Sequence, residues 1–168
     1  MSKFTLRALS VLAVVFAGLI ASAAFEPAAA QSKADAAKRH TALKAHTPHK
    51  IAIQVNDNDP RVMNLALNNA ANVAEYYKSK GEPVVIEIVT YGPGLHMLRA
   101  DSSPVKSRIA HMSLELPQVT FAACANTQAN MARQEGKDVT LIPEARVVPS
   151  GVVRLTELQE KGFAYIRP

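Results

Sequence analysis

Between residues 50 and 168 the apolar positions alternate between two periods, and each change of period marks an element. Residues 50–55 (KIAIQV) form a short β-branched run that predicts a first strand. Asn56-Asp57-Asn58-Asp59-Pro60 stops it, with Asp59 a good N-cap and Pro60 a good first helical residue. Val62, Leu65, Ala66, Ala70, Val73, Ala74 and Tyr77 then recur at three- and four-residue steps. This predicts a helix to about Lys80, stopped by Gly81. Val84–Thr90 predicts a second strand, apolar enough for burial on both faces.

Tyr91-Gly92-Pro93-Gly94 reads as a loop and residues 95–98 as a short helical turn. Ser103-Pro104 opens a helix that carries Val105, Ile109, Met112 and Leu116 at helical spacing. Val119–Cys124 predicts a third strand, and Asn126 or Thr127 caps a helix to about Glu135, closed by Gly136. Residues 139–142 and 146–148 are short extended pieces around Pro143. Ser150 caps a helix with Val153, Leu155 and Leu158 inward, ending at Lys161-Gly162, and residues 163–167 predict a last strand. Strand and helix signals alternate throughout. That predicts one α/β domain over residues 50–168: a mainly parallel sheet of four or five strands, right-handed crossovers, and helices on both faces.

The N-terminal part has a different character. Residues 1–30 read as an export signal: Lys3 and Arg7, an apolar core over residues 8–20, then the small-residue sites Ala21-Ser22-Ala23 and Ala28-Ala29-Ala30. Cleavage is expected before Gln31, with Ala24 the second choice, and a periplasmic location follows. The apolar core is short for a membrane span, so no membrane association is expected once the signal is removed. Residues 31–49 are rich in Ala, Lys and His and read as a flexible linker, whose His40, His46 and His49 lack accompanying carboxylate or thiolate ligands.

Charge and composition narrow the function. The chain is +5 at pH 7, but its Lys and Arg are scattered, and aromatics are only 5% with no Trp. Neither a basic stripe nor stacking platforms are present, so no nucleic-acid partner is expected. A dinucleotide or flavin-phosphate site needs a Gly-rich turn after the first strand, where this chain places Asp57 and Asp59. Those two carboxylates read as turn and cap residues. No G-x-S-x-G or H-E-x-x-H occurs, and no cofactor or metal is expected. A blue-copper set is the alternative on ligand types, with His96, Met97, His111, Met112 and Cys124 as its candidates. It lacks the compact ligand loop of such sites, and both methionines fit core positions.

Cys124 is the only cysteine, so the chain has no internal disulfide and no resolving thiol. It falls at the carboxyl end of a strand, where open α/β sheets place ligands, and next to a helix N-terminus, which favours a thiolate. This setting suits attack on a sulfane sulfur, or carriage of a persulfide. The competing reading is a buried cysteine acting as a small hydrophobe.

The order of motifs resembles the DsrE/DsrF-like proteins over residues 50–168. The resemblance lies in Val55-Asn56-Asp57, Leu67-Asn68-Asn69-Ala70-Ala71-Asn72, Val89-Thr90-Tyr91-Gly92-Pro93-Gly94-Leu95 and Phe121-Ala122-Ala123-Cys124-Ala125-Asn126-Thr127. It continues through Val148-Pro149-Ser150-Gly151-Val152 to the end. It implies a DsrE-like fold, a homotrimer or hexamer, and sulfur carried as a persulfide on Cys124, exchanged with a donor or acceptor protein or a small thiol. Asn126, Thr127, Gly92, Pro93, Gly94 and Asn56 would form the surrounding binding site. The studied relays are cytoplasmic, which sets this exported chain apart from a tRNA-modification role. The rival expectation is a non-catalytic assembly module with the cysteine structural.

Overall fold

The computed structural model describes residues 47–168. The export signal at 1–30, both cleavage sites, and residues 31–46 of the linker, with His40 and His46, lie outside the described residues.

Five strands form one sheet in the order β4-β3-β2-β1-β5: β1 (His49–Val55), β2 (Val84–Thr90), β3 (Val119–Cys124), β4 (Ala145–Val148) and β5 (Ala164–Ile166). All four neighbouring pairs run parallel. Four α-helices and one 3-10 helix connect them: α1 (Pro60–Ser79), the 3-10 helix (Gly92–Leu98), α2 (Lys106–Glu115), α3 (Ala125–Glu135) and α4 (Gly151–Glu160). Among the described residues no helix is long and apolar enough to cross a membrane.

Side chains alternate across a strand, so the sheet sorts its apolar residues onto two faces. Ile51, Ile53, Val55, Ile86, Ile88, Phe121 and Ala123 pack on one side with Met63, Leu67 and Ala70 of α1, Leu95 and Met97 of the 3-10 helix, and Ile109 of α2. Met131 of α3 joins that cluster from its edge. Ala52, Val89, Ala122 and Val148 face the other way, against Leu155 and Leu158 of α4. Successive helices thus lie on one face until α4, which crosses to the other. The change of face falls between β3 and β4.

Two helix stripes differ from the sequence reading. In α1 the inward residues are Met63, Ala66, Leu67, Ala70 and Ala74, while Leu65 is exposed. In α4 Gly151, Leu155 and Leu158 point inward, and Val153 is exposed. His49, placed in the linker by composition, begins β1: its N–H bonds Pro83 O at 2.9 Å and its ring bonds Glu82 at 2.8 Å. Residues 139–142 form no strand. Leu141 makes one antiparallel bridge to Arg99.

Two ionic clamps hold the helices that matter below. Glu87, in the middle of β2 and 4% exposed, receives both arms of Arg154 of α4 at 2.7 Å, with Arg146 of β4 at 3.3 Å. Arg99, 2% exposed, grips Asp101 and Glu135, the last residue of α3. A buried charge is costly unless it is paired and hydrogen-bonded, and both clamps satisfy that condition.

Candidate functional site

In an open parallel sheet, ligands collect at the carboxyl edge where neighbouring strands send their helices to opposite faces. Here that crevice lies between the ends of β3 and β4, and Cys124 is the last residue of β3. The two strand ends are stitched by Asn126 N–H to Pro149 O at 3.4 Å. Cys124 also caps α3: its sulfur accepts the Thr127 N–H at 3.4 Å. The sequence reading gave this cap to Asn126 or Thr127. The structure moves it to the cysteine, whose sulfur occupies the position where an oxygen cap would sit.

The thiol is 4% exposed. Burial is the largest influence on the thiol: it disfavours the thiolate and pushes the pKa up. Against burial act the Thr127 hydroxyl and the backbone N–H groups of Gly151, Thr127 and Asn126, and together they hold the thiol below its ordinary value. The donors come from the first turns of α3 and α4, so two helix N-termini on opposite faces converge on one sulfur. Gly151 is needed for this approach. A Cβ there would lie 2.8 Å from Tyr91 Cβ and 3.0 Å from its Cδ1.

The Tyr91-Gly92-Pro93-Gly94 segment, read as a loop before a short helical turn, is the start of the 3-10 helix itself. Gly92 adopts φ +53°, and its N–H donates to Thr127 Oγ1 at 2.9 Å. Gly94 is buried: a Cβ on it would sit 2.3 Å from Val55 O and 2.8 Å from Asn56 Cα. Asn56 therefore meets the 3-10 helix through backbone, and the side chain two residues on, Asn58, reaches the site.

A cavity of about 370 Å³ opens beside Thr127, bounded by Gly92, Pro93 and His96 of the 3-10 helix, Asn58, and the α3 residues Thr127, Asn130, Met131 and Gln134. Of the predicted site residues it takes in Gly92, Pro93 and Thr127; Gly94, Asn56, Asn126 and Cys124 lie outside its lining. His96 is held through Nδ1 by Ser102 Oγ at 2.8 Å. The sequence reading missed Gly151, Asn58, Asn130 and Gln134, and weighed His96 only as a copper ligand. The copper set does not assemble. Met97 and Met112 are in the core cluster, His111 is exposed beside Glu115, and no group of three or more metal-ligating side chains occurs among the described residues. Asp59 caps α1 through Arg61 N–H at 2.8 Å.

No family model matches the chain, and no curated protein matches it. Among solved structures, MTH1491 from Methanobacterium thermoautotrophicum, a protein of unknown function, is similar over 71% of this chain and 99% of its own. The two share 30% sequence identity with a TM-score of 0.59. The chain belongs to one family with that protein, and the likeness carries the α/β fold without an activity.

Proposed function

We propose that this is an exported, DsrE-like protein that holds sulfane sulfur as a persulfide on Cys124. The observation that supports the reading is the convergence of two helix N-termini and the Thr127 hydroxyl on a single sulfur, which favours the thiolate despite burial. The step is a transfer. The Cys124 thiolate attacks the terminal sulfur of a donor R–S–SH, a bond forms between Sγ and that sulfur, and the donor S–S bond breaks. The electron pair leaves on R–S⁻, and oxidation level is conserved overall. The reverse reaction hands the sulfur to an acceptor thiolate. The resemblance to DsrE/DsrF-like proteins further supports a homotrimer or hexamer, and the sequence of residues 1–30 supports a periplasmic location.

The test is intact mass of the mature protein after incubation with a persulfide donor. Cys124 is expected to gain one sulfur atom that a reducing thiol removes, and Cys124→Ser to gain none. A wild-type protein as inert as the serine variant ends the carrier reading. A second reading is favoured by the 4% exposure of the thiol: an assembly module in which Cys124 only packs. It predicts labelling with the pH profile of an unperturbed thiol, near 8.5.

A further inference from the structure

Helix α3 has no buried residue, although it lies against the sheet edge and the 3-10 helix. A surface helix normally turns an apolar stripe inward. In α3 the stripe at the spacing i, i+3, i+4, i+7 is Thr127, Asn130, Met131 and Gln134, and all four line the 370 Å³ cavity. Opposite them stand Asn58 and His96. The lining thus holds three carboxamides, a hydroxyl, an imidazole and a thioether, with no carboxylate, Lys or Arg among the described residues that form it. Asn58 and Gln134 each offer a donor and an acceptor side by side, the pairing that an amide or peptide group satisfies, while Asn130 accepts from Arg133 through Oδ1 and turns its amide donors to a ligand. A cavity of this volume falls within the small-molecule range.

Thr127 belongs both to this wall and to the thiol, donating its N–H to Sγ at 3.4 Å and a hydroxyl hydrogen bond as well. It is the residue that touches both the cavity and the sulfur. The 170 Å³ recess beside β4, lined by Val147, Ser150, Val153 and Arg154 among others, includes none of the residues that bond the thiol. A small inorganic anion such as thiosulfate would find no cation among the lining residues, since Arg133 lies outside the lining with its guanidinium on Asn130 Oδ1, whereas an uncharged, amide-bearing molecule would match it.

We infer that the cavity lined by Asn58, His96, Asn130, Met131 and Gln134 is the donor subsite, and that it takes a small organic persulfide whose amide-bearing body is uncharged rather than an inorganic sulfur anion. The substrate class rests on Cys124 being the sulfur-bearing atom; the amide-binding cavity does not. Rotation of Thr127 then brings the donor's terminal sulfur to Sγ, with the bond changes given above.

Binding and transfer are read separately. In Cys124→Ser protein, titration with N-acetyl-S-methylcysteine amide, which cannot transfer sulfur, is expected to shift the side-chain amide resonances of Asn130 and Gln134 saturably. Asn130→Leu/Gln134→Leu is expected to weaken binding by about tenfold or more, the equivalent of one or two net hydrogen bonds. Thiosulfate should produce no saturable shift. In wild-type protein, the persulfide of N-acetylcysteine amide should load Cys124 with saturation kinetics. Absent binding, equal binding of thiosulfate, or an α3 face buried by a second copy of the chain in solution overturns the inference. Binding without loading by any donor leaves the cavity assignment standing and ends the carrier reading instead.

Discussion

Thr127→Val isolates the hydroxyl that faces the thiol. The shape of the side chain is nearly kept, so burial of Cys124, which pushes its acidity down, is unchanged, and the backbone N–H at 3.4 Å remains. A hydrogen bond to a charged group contributes about 1.5–3 kcal/mol. That bond favours the thiolate, so the thiol should titrate at higher pH in the variant. Ultraviolet thiolate absorbance against pH, with alkylation rate as a second readout, gives both midpoints. Thr127→Ser retains the hydroxyl and should restore most of the wild-type value. The sign carries into stability. In the wild type the folded thiol is held below its unfolded value, so between the two the unfolded chain binds more protons and stability rises with pH. That contribution is full above the unfolded value and is lost as pH falls through the folded one. Thr127→Val should flatten this slope. It should also lower stability by about 1–3 kcal/mol, because the Gly92 N–H loses its acceptor. Coincident midpoints for wild type and valine variant, or a serine variant shifted as far as valine, would refute the reasoning.

Two further changes test how the site is held. Gly151→Ala places a methyl 2.8 Å from Tyr91 Cβ; the first turn of α4 must give way, and the thiol midpoint should rise while denaturant unfolding reports a loss of about 1–3 kcal/mol. A loss of stability with an unmoved midpoint would disconnect α4 from the sulfur. Arg154→Met leaves Glu87, 4% exposed, with only Arg146 at 3.3 Å, and should destabilise by about 3 kcal/mol. Adding Glu87→Gln should recover much of this, since no buried charge is then left unpaired; equal stabilities of the single and double variants would contradict the clamp.

The architecture was readable because parallel strands buried on both faces leave continuous apolar runs, and because Asp59-Pro60 marks the start of α1 without tertiary help. The site was readable only in part. Cys124 as the cap of α3 escaped because sulfur is outside the usual cap residues. Gly151 escaped because its role depends on β4 lying beside β3, which no local pattern encodes. Glu87 inside an apolar run, and Arg99 after the 3-10 helix, each require a partner distant in the chain. The amide-bearing stripe of α3 has regular helical spacing, yet polar spacing reads as a solvent-facing surface until a wall appears opposite it.

These features share one cause. Because α3 and α4 leave the sheet on opposite faces, the donors around Cys124 belong to two separately packed helices. Arg99 holds α3 through Glu135, and Glu87 holds α4 through Arg154. Burial is the largest single influence on the thiol and opposes ionisation, so the net effect survives only while several donors act together. Displacing either helix removes part of that set. A sulfur held this way combines two properties that normally conflict: stabilisation of the thiolate and shielding from bulk thiols. Thr127, which bonds the sulfur, also borders the cavity. Acidity is therefore governed by the packing of two helices.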